Sequence, residues 1–227
     1  MSRSFLLKNF LALGAAVLLM LTMLVGVAFA QPGTLLDTVT LPGNSSCNVG
    51  IAFDGTYVMT IDDGCPGQTI GIYAPSVGAA TLVATKTIVD SAGSPVLISA
   101  IDWDSNRVKL WGAYNDNVYL INIGSPVVSG PALATFMFGA GVGGFALVDG
   151  LAWDTNDDTL YYSPDVNLNV YQFSLPLGGL LNTVAPKNAA GVADGSVSGV
   201  AIGAGNSLYI GRNGFAEIRR VDKTTGA

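Results

Sequence analysis

One short pattern recurs four times at nearly constant spacing. It reads Gly50-Ile51-Ala52-Phe53-Asp54, Ala100-Ile101-Asp102-Trp103-Asp104, Gly150-Leu151-Ala152-Trp153-Asp154 and Gly199-Val200-Ala201-Ile202-Gly203. The large apolar residues at 53, 103, 153 and 202 lie 50, 50 and 49 positions apart. A polar turn and a second apolar run follow each copy, at 57–61, 108–111, 160–162 and 208–210. Third runs occupy 70–73, 118–123, 170–175 and 218–221. A fourth is visible at 82–88 and 133–138 and is faint near 183–185. Asn, Asp, Gly and Pro separate the runs, as in Asp62-Asp63-Gly64 and Tyr114-Asn115-Asp116-Asn117. Short apolar runs bounded by such residues are strands joined by hairpins.

Four strands in every ~50 residues, repeated, predict an all-β fold built as the blades of a β-propeller. A solenoid needs shorter periods, and a β-sandwich gives no reason for a spacing this regular. A four-stranded blade has two faces to cover, and its neighbours cover them. Phe53, Trp103 and Trp153 are therefore expected to fill the gaps between blades. Gly150-Leu151-Ala152-Trp153-Asp154, then Leu160-Tyr161-Tyr162-Ser163 and Val170-Tyr171, resemble repeats of the NHL, YWTD and gluconolactonase-type propellers. Ser207-Leu208-Tyr209-Ile210-Gly211 fits as well, and the first two repeats fit loosely. The resemblance spans roughly residues 50–222 and implies a fold, since these motifs are shared by unrelated activities.

Residues 1–30 have the order of a secretory signal peptide. Arg3 and Lys8 come first, an apolar stretch fills 10–29, and Ala28-Phe29-Ala30 precedes Gln31-Pro32-Gly33. The mature domain is then 31–227, secreted to the periplasm, cell surface or medium. The apolar stretch also approaches the ~20 residues of a membrane anchor, but no second one occurs, so no stable span is expected after cleavage. Losing Arg3 and Lys8, and no acid, takes the formal charge from −6 to −8. That excess repels nucleic acid. Asp supplies every acid except Glu217, which suits tight turns better than helices.

The chain has no histidine, which excludes Ser-His-Asp and Cys-His triads and imidazole metal ligands. Gluconolactonase-type propellers hold a divalent metal with acidic and amide side chains, but no position here matches such a ligand motif. Asp154-Thr155-Asn156-Asp157-Asp158 has the spacing of a calcium loop with Asp165 at the twelfth position. Thr159 stands where the loop needs Gly, so the segment reads as a polar turn. The run from Gly139 to Gly144 lacks the Lys-Ser/Thr of a phosphate loop and reads as a connection between blades. Asn44-Ser45-Ser46 matches a glycosylation sequon. Cys47 and Cys65, the only cysteines, flank the first hairpin symmetrically and are expected to form a disulfide after export.

No catalytic, cofactor or metal residue is assigned from the sequence. The expected function is a secreted or surface propeller that binds an extracellular ligand or protein, or serves as a scaffold. The alternative is a metal-assisted hydrolase or lactonase of the gluconolactonase type. The fourth repeat shows three strands and stops at Thr225-Gly226-Ala227, so the chain is expected to be the N-terminal part of a larger propeller. In the competing arrangement residues 35–41 supply the missing strand beside 218–221.

Overall fold

The computed structural model describes residues 38–42, 50–61, 64, 66–128, 130–142, 147–165, 167–193, 197–212, 214–215 and 217–227. Thr38 aside, these belong to one compact unit, Val39–Ala227. Among them every regular element is a strand. The first repeat is a meander of β1 (Ile51–Phe53), β2 (Val58–Ile61), β3 (Thr69–Ala74) and β4 (Thr81–Val89). The second comprises β5 (Ala100–Asp104), β6 (Lys109–Tyr114), β7 (Asn117–Asn122) and β8 (Ala132–Gly139). The third has β9 (Val148–Asp154), β10 (Thr159–Pro164), β11 (Val170–Ser174) and β12 (Leu180–Val184), and the fourth β13 (Val197–Ile202), β14 (Ser207–Arg212) and β15 (Ile218–Asp222). The end of β4 runs parallel to the start of β8, pairing Ile88 with Ala132 and Val89 with Leu133. This joins two meanders into an eight-stranded sheet. Its end strands β1 and β5 also pack together, so it nearly closes.

The repeated Asp and Gly each have a structural reason. Asp54 Oδ1 accepts the N–H groups of Thr56 (2.7 Å) and Tyr57 (2.6 Å), and Asp104 Oδ1 accepts that of Arg107 (2.9 Å). Asp154 Oδ1 accepts that of Asn156 (2.9 Å). A carboxylate here closes the turn between the first two strands of a meander. The glycines allow first strands to approach. A Cβ on Gly50 would lie 2.9 Å from the Ile101 nitrogen, and one on Gly150 would lie 2.7 Å from the Val200 nitrogen. Cross-links fix the register further. Ser99 Oγ donates to the Val148 carbonyl (2.8 Å), and Trp153 N–H donates to Asp102 Oδ2 (2.6 Å). Neighbouring first strands therefore run in the same direction, in register, in the order β1, β5, β9, β13.

Side chains from successive meanders interlock in three apolar layers. Met59, Ile61, Ile70 and Ile72 meet Ile98, Ile101, Leu110 and Ile121. Trp111, Val118 and Phe138 meet Leu151, Leu160, Tyr162 and Phe173. Tyr161, Val170 and Val184 meet Leu208, Ile210 and Val221. Each layer belongs to two repeats, so no repeat buries its faces alone. The architecture is all-β and propeller-like.

One expectation needs correction, the competing arrangement of the N-terminal segment is not seen, and several readings fall outside the described residues. Trp153 is buried in the second layer and Trp103 packs against the first, but Phe53 is 54% exposed. Residues at this register face the preceding repeat, and Phe53 lies in the first one. The competing arrangement puts residues 35–41 beside β15, but Thr40 meets the first meander: it pairs with Ala79 in a parallel bridge, and Ala80 N–H donates to the Thr40 carbonyl (2.9 Å). Residues 35–37, the signal at 1–30, Asn44-Ser45-Ser46 and both Cys47 and Cys65 lie outside the described residues. The β1–β2 ladder pairs Ile51 with Thr60, Ala52 with Met59 and Phe53 with Val58. That register is one residue out of step with the symmetric Cys47–Cys65 pairing.

Candidate binding groove

In an antiparallel meander the start of the first strand and the turn between the second and third lie at the same end. At that end of the second meander the linker after β4 bends back on β4 and lines one cleft with residues of β7 and β8. Asp90 Oδ1 accepts the N–H groups of Ala92 and Ser94, both at 2.9 Å, and Val96 N–H returns to the Ile88 carbonyl at 2.9 Å. The β6–β7 turn is a two-residue primed hairpin, with Asn115 at φ 48° and Asp116 at φ 64°. Asn and Asp tolerate this left-handed region better than other side chains. The Asp116 carbonyl is held by Ala140 N–H at 2.6 Å.

Linker, turn and outer strands enclose a groove of about 640 Å³, within the usual ~300–1,000 Å³ of ligand pockets. Tyr119 and Phe136 stand opposite each other on β7 and β8. Their rings meet edge to face, with centroids 6.0 Å apart and planes at 76°. This geometry suits the aromatic quadrupoles and leaves Phe136 57% exposed. Burial raises the Tyr119 hydroxyl above its ordinary pKa, against a hydrogen bond from Asn117. Asp90, Ser91, Tyr114, Asn115, Asn117 and Thr135 are among the polar residues of the lining, to which no Lys or Arg among the described residues contributes. The Tyr114 hydroxyl and Asn115 amide make no hydrogen bond to another described residue.

The calcium-like segment is occupied otherwise. Its residues form the β9–β10 turn, and their carboxylates go to cations and an indole. Lys223 Nζ donates to Asp154 Oδ2 and, at 3.2 Å, to Asp157 Oδ2. Arg107 makes a two-pronged contact with Asp158 at 2.7 and 2.6 Å while also reaching Asp104 at 2.6 Å. Trp153 Nε1–H donates to Asp158 at 3.0 Å and Trp111 Nε1–H to Asp104 at 2.9 Å. Arg107 holds Asp158 below the usual carboxylate range. Burial pushes Asp154 up, but Lys223 and the Asn156 contacts outweigh it. Asp165 is elsewhere, beside Asp149, and does not join this turn.

Two other carboxyl groups are raised. Asp149, at the start of β9, is pushed up to about 6 by burial and by Asp165, against a hydrogen bond from Ser198 Oγ at 3.2 Å. Asp102 is also pushed up to about 6, by burial, against N–H bonds from Trp153 and Trp103. Among the described residues no three acidic or cysteine side chains converge as metal ligands.

No protein-family signature and no curated protein matches the chain. Among solved structures, glutaminyl cyclase of Myxococcus xanthus superimposes with a TM-score of 0.56 at 12% identity, covering 84% of this chain and 75% of that one. Hydrazine synthase of Kuenenia stuttgartiensis gives 0.49 at 14% identity over 86% of this chain and 50% of that one. The computationally designed Ika4 protein gives 0.44 at 15% identity over 83% and 99%. The first likeness supports the propeller-like fold and says nothing of activity. Among the described residues no helix is long and apolar enough to cross a membrane.

Sequence reasoning did not find the groove. Tyr114, Asn115 and Asn117 were visible as turn residues, but their meeting with Tyr119, Phe136 and Asp90 depends on the path of the linker.

Proposed function

We propose that the protein is an exported β-propeller, its repeats being blades of the NHL, YWTD or gluconolactonase kind, and that it binds a ligand in the groove of the second repeat. The observation carrying this reading is the exposed Phe136 ring, set against half-buried Tyr119, beside hydroxyl, amide and carboxylate groups in a cleft of about 640 Å³. Binding sites combine apolar surface with a few polar groups in this way. Ligand-observed NMR on the exported protein tests it, using saccharides, amino acids, short peptides and aromatic acids. At least one class is expected to show saturation transfer that Phe136→Ala removes. Silence across all classes refutes the reading.

A second reading, metal-assisted hydrolysis of the gluconolactonase type, draws on the Asp149–Asp165 pair with Ser198 nearby. Two carboxylates and a hydroxyl are oxygen donors of the kind hard cations take. Added Ca²⁺ that raises the melting temperature of the native chain but not of Asp149→Asn would favour it.

A further inference from the structure

We infer that the groove takes a neutral mono- or disaccharide, a conclusion that rests on its being a ligand site. The argument begins with charge. Among the described residues no cation lines the groove while Asp90 does, and the chain carries a formal charge of −6, or −8 without Arg3 and Lys8. Phosphate, sulfate or carboxylate ligands would enter with no positive partner and against that field. A wholly apolar ligand is equally disfavoured. It would cover the Tyr114 hydroxyl and the Asn115 amide, which have no side-chain partner among the described residues, and would leave them buried and unbonded.

Among uncharged ligands, what remains is one that is apolar on one face and rich in neutral hydrogen-bonding groups around its edge. A sugar ring has that form: axial C–H groups make one face apolar, and hydroxyls ring the perimeter. Phe136 offers the bare ring, held by the edge-to-face contact with Tyr119. The Asn115 amide can donate and accept at once, the Tyr114 hydroxyl likewise, and Asp90 accepts. Asp90 is already fixed by two backbone N–H groups, and Asn115 sits on a two-residue turn. The Asp90 carboxylate and the backbone that carries Asn115 are therefore held before a ligand arrives, which lowers the ordering cost of binding.

The test uses the exported protein and neutral disaccharides at millimolar concentration: maltose, cellobiose, lactose, sucrose and N,N′-diacetylchitobiose. Galacturonic acid and free amino acids serve as comparators. One or more neutral sugars should give saturation transfer. Titration calorimetry should show affinity for that sugar falling at least tenfold in Phe136→Ala, with a cooperative melt only a few degrees below that of the native chain. Asn115→Asp, which keeps the turn residue type but replaces the donor with a charge, should weaken it as well. Binding of amino acids or galacturonate but no neutral sugar, still sensitive to Phe136→Ala, overturns the sugar assignment and leaves the groove as a ligand site. A sugar whose binding ignores both substitutions overturns the location. No binding of any probe overturns the sugar assignment and the ligand-site reading together.

Discussion

Gly150 and Gly199 occupy the same place in the repeated pattern, yet the structure separates them. A Cβ on Gly150 would press on backbone atoms of β13, whereas one on Gly199 meets nothing within 4 Å. Backbone cannot rotate aside as a side chain can, so the cost at Gly150 is of the overpacking kind. Gly150→Val should destabilise by about 1–3 kcal/mol, and Gly199→Ala should stay within about 0.5 kcal/mol. Urea midpoints of the two variants decide it, and equal midpoints would show the register of β9 against β13 to be wrong. The pattern alone marked both positions as special without saying which neighbour required a small residue. It gave Trp153 its buried place for the right reason. It failed at Phe53 because periodicity identifies a face of a strand and not whether a neighbour covers it. The cysteines allow a second prediction at this scale. Titration of the unreduced, unfolded protein should find no free thiol, with bridge formation contributing about 3 kcal/mol by chain entropy. Two free thiols would mean that the β1–β2 register, already one residue off, keeps Cys47 and Cys65 apart.

Turns between the first two strands carry charged links from one meander to the next. Arg107 leaves its own turn to clasp Asp158 in the following repeat, and Lys223 reaches back from the last repeat to Asp154 and Asp157. In sequence, Asp154 to Asp158 looked like candidate ligands because spacing shows acids and not the cations brought to them. Lys223 lies 69 positions from Asp154, and no local pattern could pair them. The structure gives the segment a test in which metal and lysine make opposite predictions. Chelator should leave the melting temperature unchanged, while Lys223→Met should lower it. Asp154 has a fully buried side chain, and removing the cation from a charge-assisted bond costs about 2 kcal/mol, or roughly 5 °C in a chain of this size. A chelator-induced fall of that size, or an indifferent Lys223→Met, would restore the segment as a cation loop.

For the whole molecule, what was legible is what the repeats share: strand order, the interlocking layers and the turn carboxylates. The groove is made of what they do not share, a linker bend, one primed turn and a cross-strand aromatic pair, and so it stayed hidden. Titration behaviour also belongs to this scale, because raised and lowered carboxyl groups act on one folding equilibrium. Asp102 and Asp149 are each pushed from 3.8 to about 6. Between those values the folded chain binds more protons than the unfolded chain, so stability falls as pH rises through about 4 to 6. Asp154 and Asp158 are lowered instead. Their contribution is present above the unfolded value and is lost as pH falls below about 4. With no histidine in the chain, the side chain that ordinarily titrates near pH 6–7 is missing. Stability should therefore peak near pH 4–5 and decline toward neutrality. A two-unit shift at buried Asp102 corresponds to at most about 3 kcal/mol. Half-exposed Asp149 adds less, because water screens its charge. Denaturant melts at pH 4.5 and 7 measure the difference. Asp149→Asn keeps an acceptor for Ser198 and removes the repulsion from Asp165, so it should be more stable than the native chain at pH 7 and no more stable at pH 4.5. A native profile that is flat or rises between pH 4.5 and 7 would mean that these two carboxyl groups are better solvated than their surroundings in the fold imply.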